Sequence, residues 1–430
     1  MSKDKETHNL PYVDIQHDAL AVFDDVEQGV VLREDIWISG YQVGSTSVHG
    51  KARVEFEEGG GSSLTSREGV KVERKSKTNF VVSVSKLGIH DLPVRFPRQV
   101  IHPPYKKTSP LDPPLQINSL SLNPKSSHIL IGGPDGYALI LPISSDASVE
   151  KDSVRLQGHV GDVRDVKWFP SGEVILTASS DLSLRVFGKD GVNPRTFKGH
   201  TRAITSTAIL GVGKQLLSGS KDGTIRLWDV GKGVEVKKWT VEGKKGVEAF
   251  VVVEDEDGLR ALGVQDQERV LVVGTQEGVW VQPFDGEGWW VKDTTEEEGH
   301  LVCLAYDETS GTIVTGHTTG IMTVRHVTTL SKGNAETTTP ITTIRRNESP
   351  VYSLAFGLPS GSSSESVELY VGTAAGLPCR LSLRRDGGEG KYTAKVQEEF
   401  AGWEAVGVEC FGVGKEGVWC AGGEGGLRRY

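Results

Sequence analysis

The stretch "LLSGSKDGTIRLWDV", residues 216–230, decides the fold. Two leucines lead into small residues, a Lys-Asp-Gly turn follows, and an alternating run ends on Trp228-Asp229. An Asp-Gly pair tolerates positive φ and closes a hairpin between the strands on either side. Forty-one residues upstream, "ILTASSDLSLRVF" (175–187) repeats the design, with Asp181 in the place of Asp222 and Phe187 in the place of Trp228. A Gly-His pair precedes each copy, Gly158-His159 and Gly199-His200. From His to Asp is 22 residues in both copies, and from His to the aromatic residue 28.

The turn recurs with decay along the chain. "IGGPDGYALIL" (131–141) lies upstream, and "VGTQEGVWVQP" (273–283), "TGHTTGIMTVR" (315–325), "VGTAAGLPCRL" (371–381) and "AGGEGGLRRY" (421–430) lie downstream. Six of the seven turns keep a glycine, and the copy at 175–187 has Leu182 instead. A period of roughly 40–45 residues marked by Gly-His and Trp-Asp is the signature of the WD40 repeat. One four-stranded blade cannot bury both of its faces, whereas a closed ring of blades can. Seven copies predict an all-β protein, a seven-bladed WD40 β-propeller over 114–430 with a small N-terminal β unit and a proline-rich connector over 1–113.

Composition agrees and narrows the function. The 430 residues include 53 glycines and two methionines, and the formal net charge is −9. An acidic chain suits a basic partner and argues against nucleic acid or an anionic membrane. Cys303, Cys379, Cys410 and Cys420 fall in no zinc-ligand spacing, so no metal is expected and the thiols read as reduced. The opening "MSKDKETHNL" has no apolar core of a secretory signal, which points to the cytoplasm and nucleus. "GVGKQ" (211–215) lacks the spacing of a phosphate-binding loop, and "LRRDG" (383–387) lacks the basic surroundings of a phosphoinositide site.

His200, Ser218 and Asp222 are the residue types of a nucleophilic triad. They recur as His159, Thr177 and Asp181, and a catalytic site is not expected twice with a drifting third member. Together with Trp228 they read as a hydrogen-bond network that pins each blade's turn. No catalytic residue, cofactor site or metal site is predicted.

Residues 1–113 lack the repeat but carry strand-like alternation in "VVLREDIWISGY" (30–41), "SVHGKARVEF" (47–56), "GVKVER" (69–74) and "FVVSVSK" (80–86). "EEGGGSSLTSREG" (57–69) reads as a flexible hairpin loop. The segment "DIWISGYQVGSTSVHG" (35–50), followed by "LQGHVGDVRDVKWFPSG" (156–172) and the blade over 197–229, resembles the proteasomal ATPase-associated factor family. That resemblance implies a non-enzymatic WD40 chaperone of 19S regulatory-particle assembly, monomeric, binding the basic C-terminal domain of a proteasome base ATPase subunit. The alternative from the repeats alone is a generic WD40 scaffold, such as a ubiquitin-ligase substrate receptor.

Propellers bind through one rim, where loops lead into the innermost strand of each blade. Those loops carry Asp162, Glu248, Glu298, Glu348 and Glu404, with Tyr352 and Trp403 nearby, and these seven residues are the expected partner contacts. Ring closure raises a separate demand. The sequence stops at Tyr430, where the third strand of the last blade should end, so a fourth strand must come from upstream. "VRFPRQVI" (94–101) is the first candidate and "FVVSVSK" (80–86) the second.

Overall fold

A computed structural model describes residues 7–59, 61–105, 114–143, 149–291, 297–333, 341–358, 366–386 and 390–430. Residues 106–113 of the proline-rich connector "HPPYKKTSPLDPP" (102–114), 359–365 of the polar stretch "GLPSGSSSES" (357–366) and Gly387 of "LRRDG" lie outside the described residues. Among those described, seven blades of antiparallel strands follow one another around a channel. Blade three is representative: Ile204–Leu210, Gln215–Ser220, Thr224–Asp229 and Val234–Thr240 pair in chain order. The chain is thus a seven-bladed WD40-type β-propeller with a small N-terminal β unit.

Apolar residues of adjacent blades interlock. Leu217, Ile225 and Leu227 of blade three pack with Val247, Phe250, Leu271 and Val273 of blade four. Side chains link one innermost strand to the next. Thr205 donates to the Val247 carbonyl at 2.9 Å, and Ser353 to the Val408 carbonyl at 3.0 Å.

The six turn glycines sit at positive φ: Gly136 at 72°, Gly223 at 77°, Gly278 at 141°, Gly320 at 79°, Gly376 at 78° and Gly425 at 71°. Leu182 stands in the equivalent place at 72°, a left-handed conformation that disfavours any residue with a Cβ.

The ring closes as the first candidate strand requires. Gln99–Ile101 pairs antiparallel with Leu427–Arg429 and becomes the outermost strand of blade seven. Arg98 N–H donates to the Arg429 carbonyl at 2.8 Å, and Ile101 is buried among Leu115, Trp419 and Leu427. "FVVSVSK" does something else. Asn79–Val84 pairs with Ile89–Arg95, which lies parallel to Tyr392–Phe400, the outer strand of blade six. Thr7–Asn9 likewise lies parallel to Thr342–Arg345 of blade five.

The N-terminal unit therefore extends two blades rather than hanging from a tether. Its own sheet runs Tyr12–Ile15, Arg33–Tyr41, Val48–Phe56, Ser62–Arg67. The last of these falls in 57–69, so that segment is a paired strand after a short turn and not a loop. Helix Ala19–Glu27 buries Ala19, Val22, Phe23 and Val26, a spacing that puts all four on one face. Phe80, Val82, Val94 and Phe96 share that core with Ile36, Ile38 and Val54. At the junction, the Arg346 guanidinium of the propeller meets the Glu399 carboxylate at 2.7 Å, both fully enclosed.

Candidate functional site

The His-Asp networks sit at the end of the propeller where the innermost strands begin. His200 Nδ1 lies 2.9 Å from Asp222 Oδ2, and Nε2 lies 2.8 Å from Ser218 Oγ. Asp222 also accepts the Thr201 and Thr224 N–H groups at 2.9 Å and the Thr224 hydroxyl at 2.6 Å. Burial alone would raise the Asp222 pKa. The Thr224 hydroxyl, the Thr201 amide and His200 outweigh it and hold the carboxylate below its usual range. Burial lowers the His200 pKa despite the adjacent carboxylate, so the ring is neutral at pH 7.

These facts fix the direction of every proton. A carboxylate only accepts, so His200 Nδ1 carries the hydrogen and Nε2 is bare. Ser218 must then donate to Nε2, and its own oxygen accepts the Trp228 indole N–H at 2.8 Å. Blade two repeats the set without the indole: His159 lies 2.8 Å from Asp181 and 2.8 Å from Thr177 Oγ1. His300 of blade five does not belong to such a set and is exposed at the surface.

The order Ser218–His200–Asp222 has the connectivity of a hydrolytic triad. Ser218 is fully buried, however, and its oxygen is already engaged by Trp228. No substrate carbonyl can approach it. The arrangement does structural work: it ties the turn, the inner loop and the third strand of one blade together.

The channel mouth opens at this same end. In six blades the innermost strand has a register shift one residue after it begins, as at Val163/Asp165, Ile204/Ser206 and Val247/Ala249. The same shift falls at Leu301/Cys303, Val351/Ser353 and Val408/Cys410. A bulge turns the extra residue out of the ladder. The residues so turned are Arg164, Thr205, Glu248, Val302, Tyr352 and Glu409, and all six line one cavity of about 500 Å³, with Asn118 from blade one. Glu248 and Tyr352 were predicted from sequence; the other members of this ring were not. The signal available for them was position alone, one residue past the start of each inner strand.

The predicted acids do not form one continuous patch. Asp162 pairs with Arg164 at 3.2 Å, and Glu248 pairs with Lys221. Glu348 and Glu404 are exposed at blades six and seven. Glu298 and Trp403 have to be withdrawn as surface contacts. Glu298 is buried, and so is Trp403, whose ring lies beneath the Arg428 guanidinium at 4.2 Å. Glu409, facing Gln116 at 3.2 Å, has its pKa raised by burial.

The ring of four-stranded antiparallel blades defines a WD40 propeller, a class that generally scaffolds protein–protein interactions and is not generally enzymatic. The WD domain, G-beta repeat family model matches residues 151–187 and 191–229. Among curated proteins, the chain is 35% identical over 86 residues to the 26S proteasome regulatory subunit RPN14 of Saccharomyces cerevisiae, covering 20% of each. It is 33% identical over 134 residues to nuclear distribution protein nudF 1 of Talaromyces marneffei, covering 30% of this chain and 28% of that one. Similarity to eukaryotic translation initiation factor 3 subunit I of Schizosaccharomyces pombe is 34% over 122 residues, 28% of this chain and 35% of that one. The matched segments thus span about a fifth to a third of these relatives' lengths.

Proposed function

We propose that this protein is a non-enzymatic assembly chaperone of the proteasome. In this reading it binds the basic C-terminal domain of a base ATPase subunit during 19S regulatory-particle assembly, as a monomer in cytoplasm and nucleus, without cofactor, nucleic acid or membrane. The observation that carries the reading is the local identity to the yeast proteasome regulatory subunit. The exposed Glu348 and Glu404 supply a complementary acidic edge, and Tyr352, turned into the channel by its bulge, adds an aromatic contact beside it.

A second reading is a generic WD40 scaffold, for example a ubiquitin-ligase substrate receptor. The observation favouring it is that the nuclear distribution and initiation-factor relatives match over longer stretches than the proteasome relative. Affinity purification with mass spectrometry separates the two. Base ATPase subunits without the core particle support the chaperone, and a cullin complex in their place overturns it. Reversing Glu348 and Glu404 together should slow association with the ATPase domain, with the loss shrinking at high salt and the melting temperature unmoved. Unchanged affinity at low salt would remove this edge from the interface.

A further inference from the structure

The end of the propeller that holds the His-Asp networks is electrically divided. Its exposed acids Glu348 and Glu404 stand at blades six and seven. At blade three the same end carries a pocket of about 390 Å³ lined by Arg202, Lys221, Arg226, Lys238 and Lys244, with Thr201, Thr224 and Thr240 between them. Among the described residues the one carboxylate in the lining is Asp222, and its oxygens are taken up by His200, Thr201 and Thr224. Lys221 is compensated by Glu248, and Arg226 by Glu235. Arg202, Lys238 and Lys244 are exposed and form no ion pair among the described residues. Three uncompensated cations therefore converge on one pocket of a protein whose net charge is −9.

Their placement is built into the blade. Arg226 and Lys238 are direct cross-strand partners, as are Thr224 and Thr240. Like charges facing each other across a ladder are destabilising unless something compensates them. Lys244 holds a left-handed backbone at φ 53° and packs on the turn, where a Cβ on Gly223 would come within 2.5 Å of the Lys244 backbone.

Blade two is an internal control. It keeps the network as His159, Thr177 and Asp181, yet Gly161, Ser180 and Thr196 stand where blade three has Arg202, Lys221 and Lys238. The blade fold does not require these cations.

We infer that the blade-three pocket binds an anionic segment of a partner protein, its charge carried by a run of Asp and Glu or by a phosphorylated Ser or Thr. Clustered cations with hydroxyl donors between them suit carboxylate and phosphate oxygens alike. The site is separate from the acidic edge at Glu348 and Glu404, so one end of the propeller would present opposite charges to two elements of a partner.

The test uses the full chain and fluorescence anisotropy with three labelled peptides: one of alternating Glu and Gly, one with a central phosphothreonine, and one with Gln in place of Glu. Lys238→Glu with Lys244→Glu should weaken the anionic peptides at least about tenfold. The same charge change made at Lys214 and Lys232, exposed at the opposite end of blade three, should change binding by less than about twofold. All four lysines are exposed, and equal melting temperatures confirm that folding is intact. Preference for the phosphothreonine or the Glu peptide identifies which source of charge the pocket reads. The inference is overturned if the Gln peptide binds as well, if the Lys214/Lys232 reversal weakens binding equally, or if a single-stranded RNA of matched charge binds more tightly than either anionic peptide. None of these outcomes bears on the ATPase partner, which is read out at Glu348 and Glu404.

Discussion

Removing one hydroxyl from blade three should cost more than removing the corresponding hydroxyl from blade two, and the difference measures a single indole bond. Ser218→Ala strips the partner from the Trp228 indole N–H and from His200 Nε2, both at 2.8 Å in a fully buried site. Each buried polar group left without a partner costs about 1–3 kcal/mol, and sharing one small cavity puts the pair at about 2–4 kcal/mol. Thr177→Val keeps the shape of the side chain and leaves only His159 Nε2 without its partner, which predicts about 1–2 kcal/mol. The excess of about 1–2 kcal/mol belongs to the indole. Trp228→Phe supplies the cycle: in that background Ser218→Ala should cost no more than Thr177→Val. Urea unfolding followed by tryptophan fluorescence and by circular dichroism reads all four variants. Equal costs for Ser218→Ala and Thr177→Val, or no coupling between Ser218 and Trp228, would refute the directed network.

Leu182→Gly should stabilise the protein by about 0.5–1 kcal/mol, because it relieves the left-handed strain that the other turns avoid; a thermal melt checks it. Burial lowers the pKa values of His159 and His200 from the usual 6.5, so the unfolded chain takes up protons first as pH falls and the native state loses stability below that value. His200→Ala abolishes one such uptake, and its stability deficit against the wild type should narrow between about pH 7.5 and 5.5 in urea titrations. Ile101→Ala empties a buried position of the closing strand and should cost about 2–4 kcal/mol, whereas Val100→Ala, on the exposed side of the same strand, should cost under about 0.5 kcal/mol. Equal melting temperatures for those two variants would mean that the closing strand contributes no packing.

The blades were legible where the backbone makes a demand that few residues meet. Positive φ at the hairpin turn calls for glycine, and the spacing of those glycines counts the repeats even where Gly-His and Trp-Asp are lost. The network was legible because a buried carboxylate needs several donors, which must arrive from fixed distances along the chain.

Thr7–Asn9 was not legible, because a polar three-residue strand owes its existence to the blade edge it meets. Ala19–Glu27 carried its apolar face in plain spacing, but nine residues among strands give a short signal. The bulges left no mark, since one extra residue changes no composition yet decides which side chains point into the channel. Glu298 and Trp403 were misplaced for a related reason: charge and aromaticity suggest a contact surface, while the burial of Glu298 and the Arg428 guanidinium over Trp403 are tertiary facts.

The pairing of Gln99–Ile101 with Leu427–Arg429 has a consequence for biosynthesis. The strand that completes blade seven leaves the ribosome before any blade, and its partner leaves after all the others. Until then the nascent chain carries a strand with nothing to pair with. The N-terminal unit is in the same position, because the edges it covers belong to blades five and six. Contacts so distant along the chain form slowly, and unpaired edges invite association with other chains. The early segments must be kept from wrong partners throughout translation. The N-terminal core built around Phe23, Phe80 and Phe96 can form long before the propeller does, and it offers that shelter to Ile89–Arg95 while Gln99–Ile101 waits.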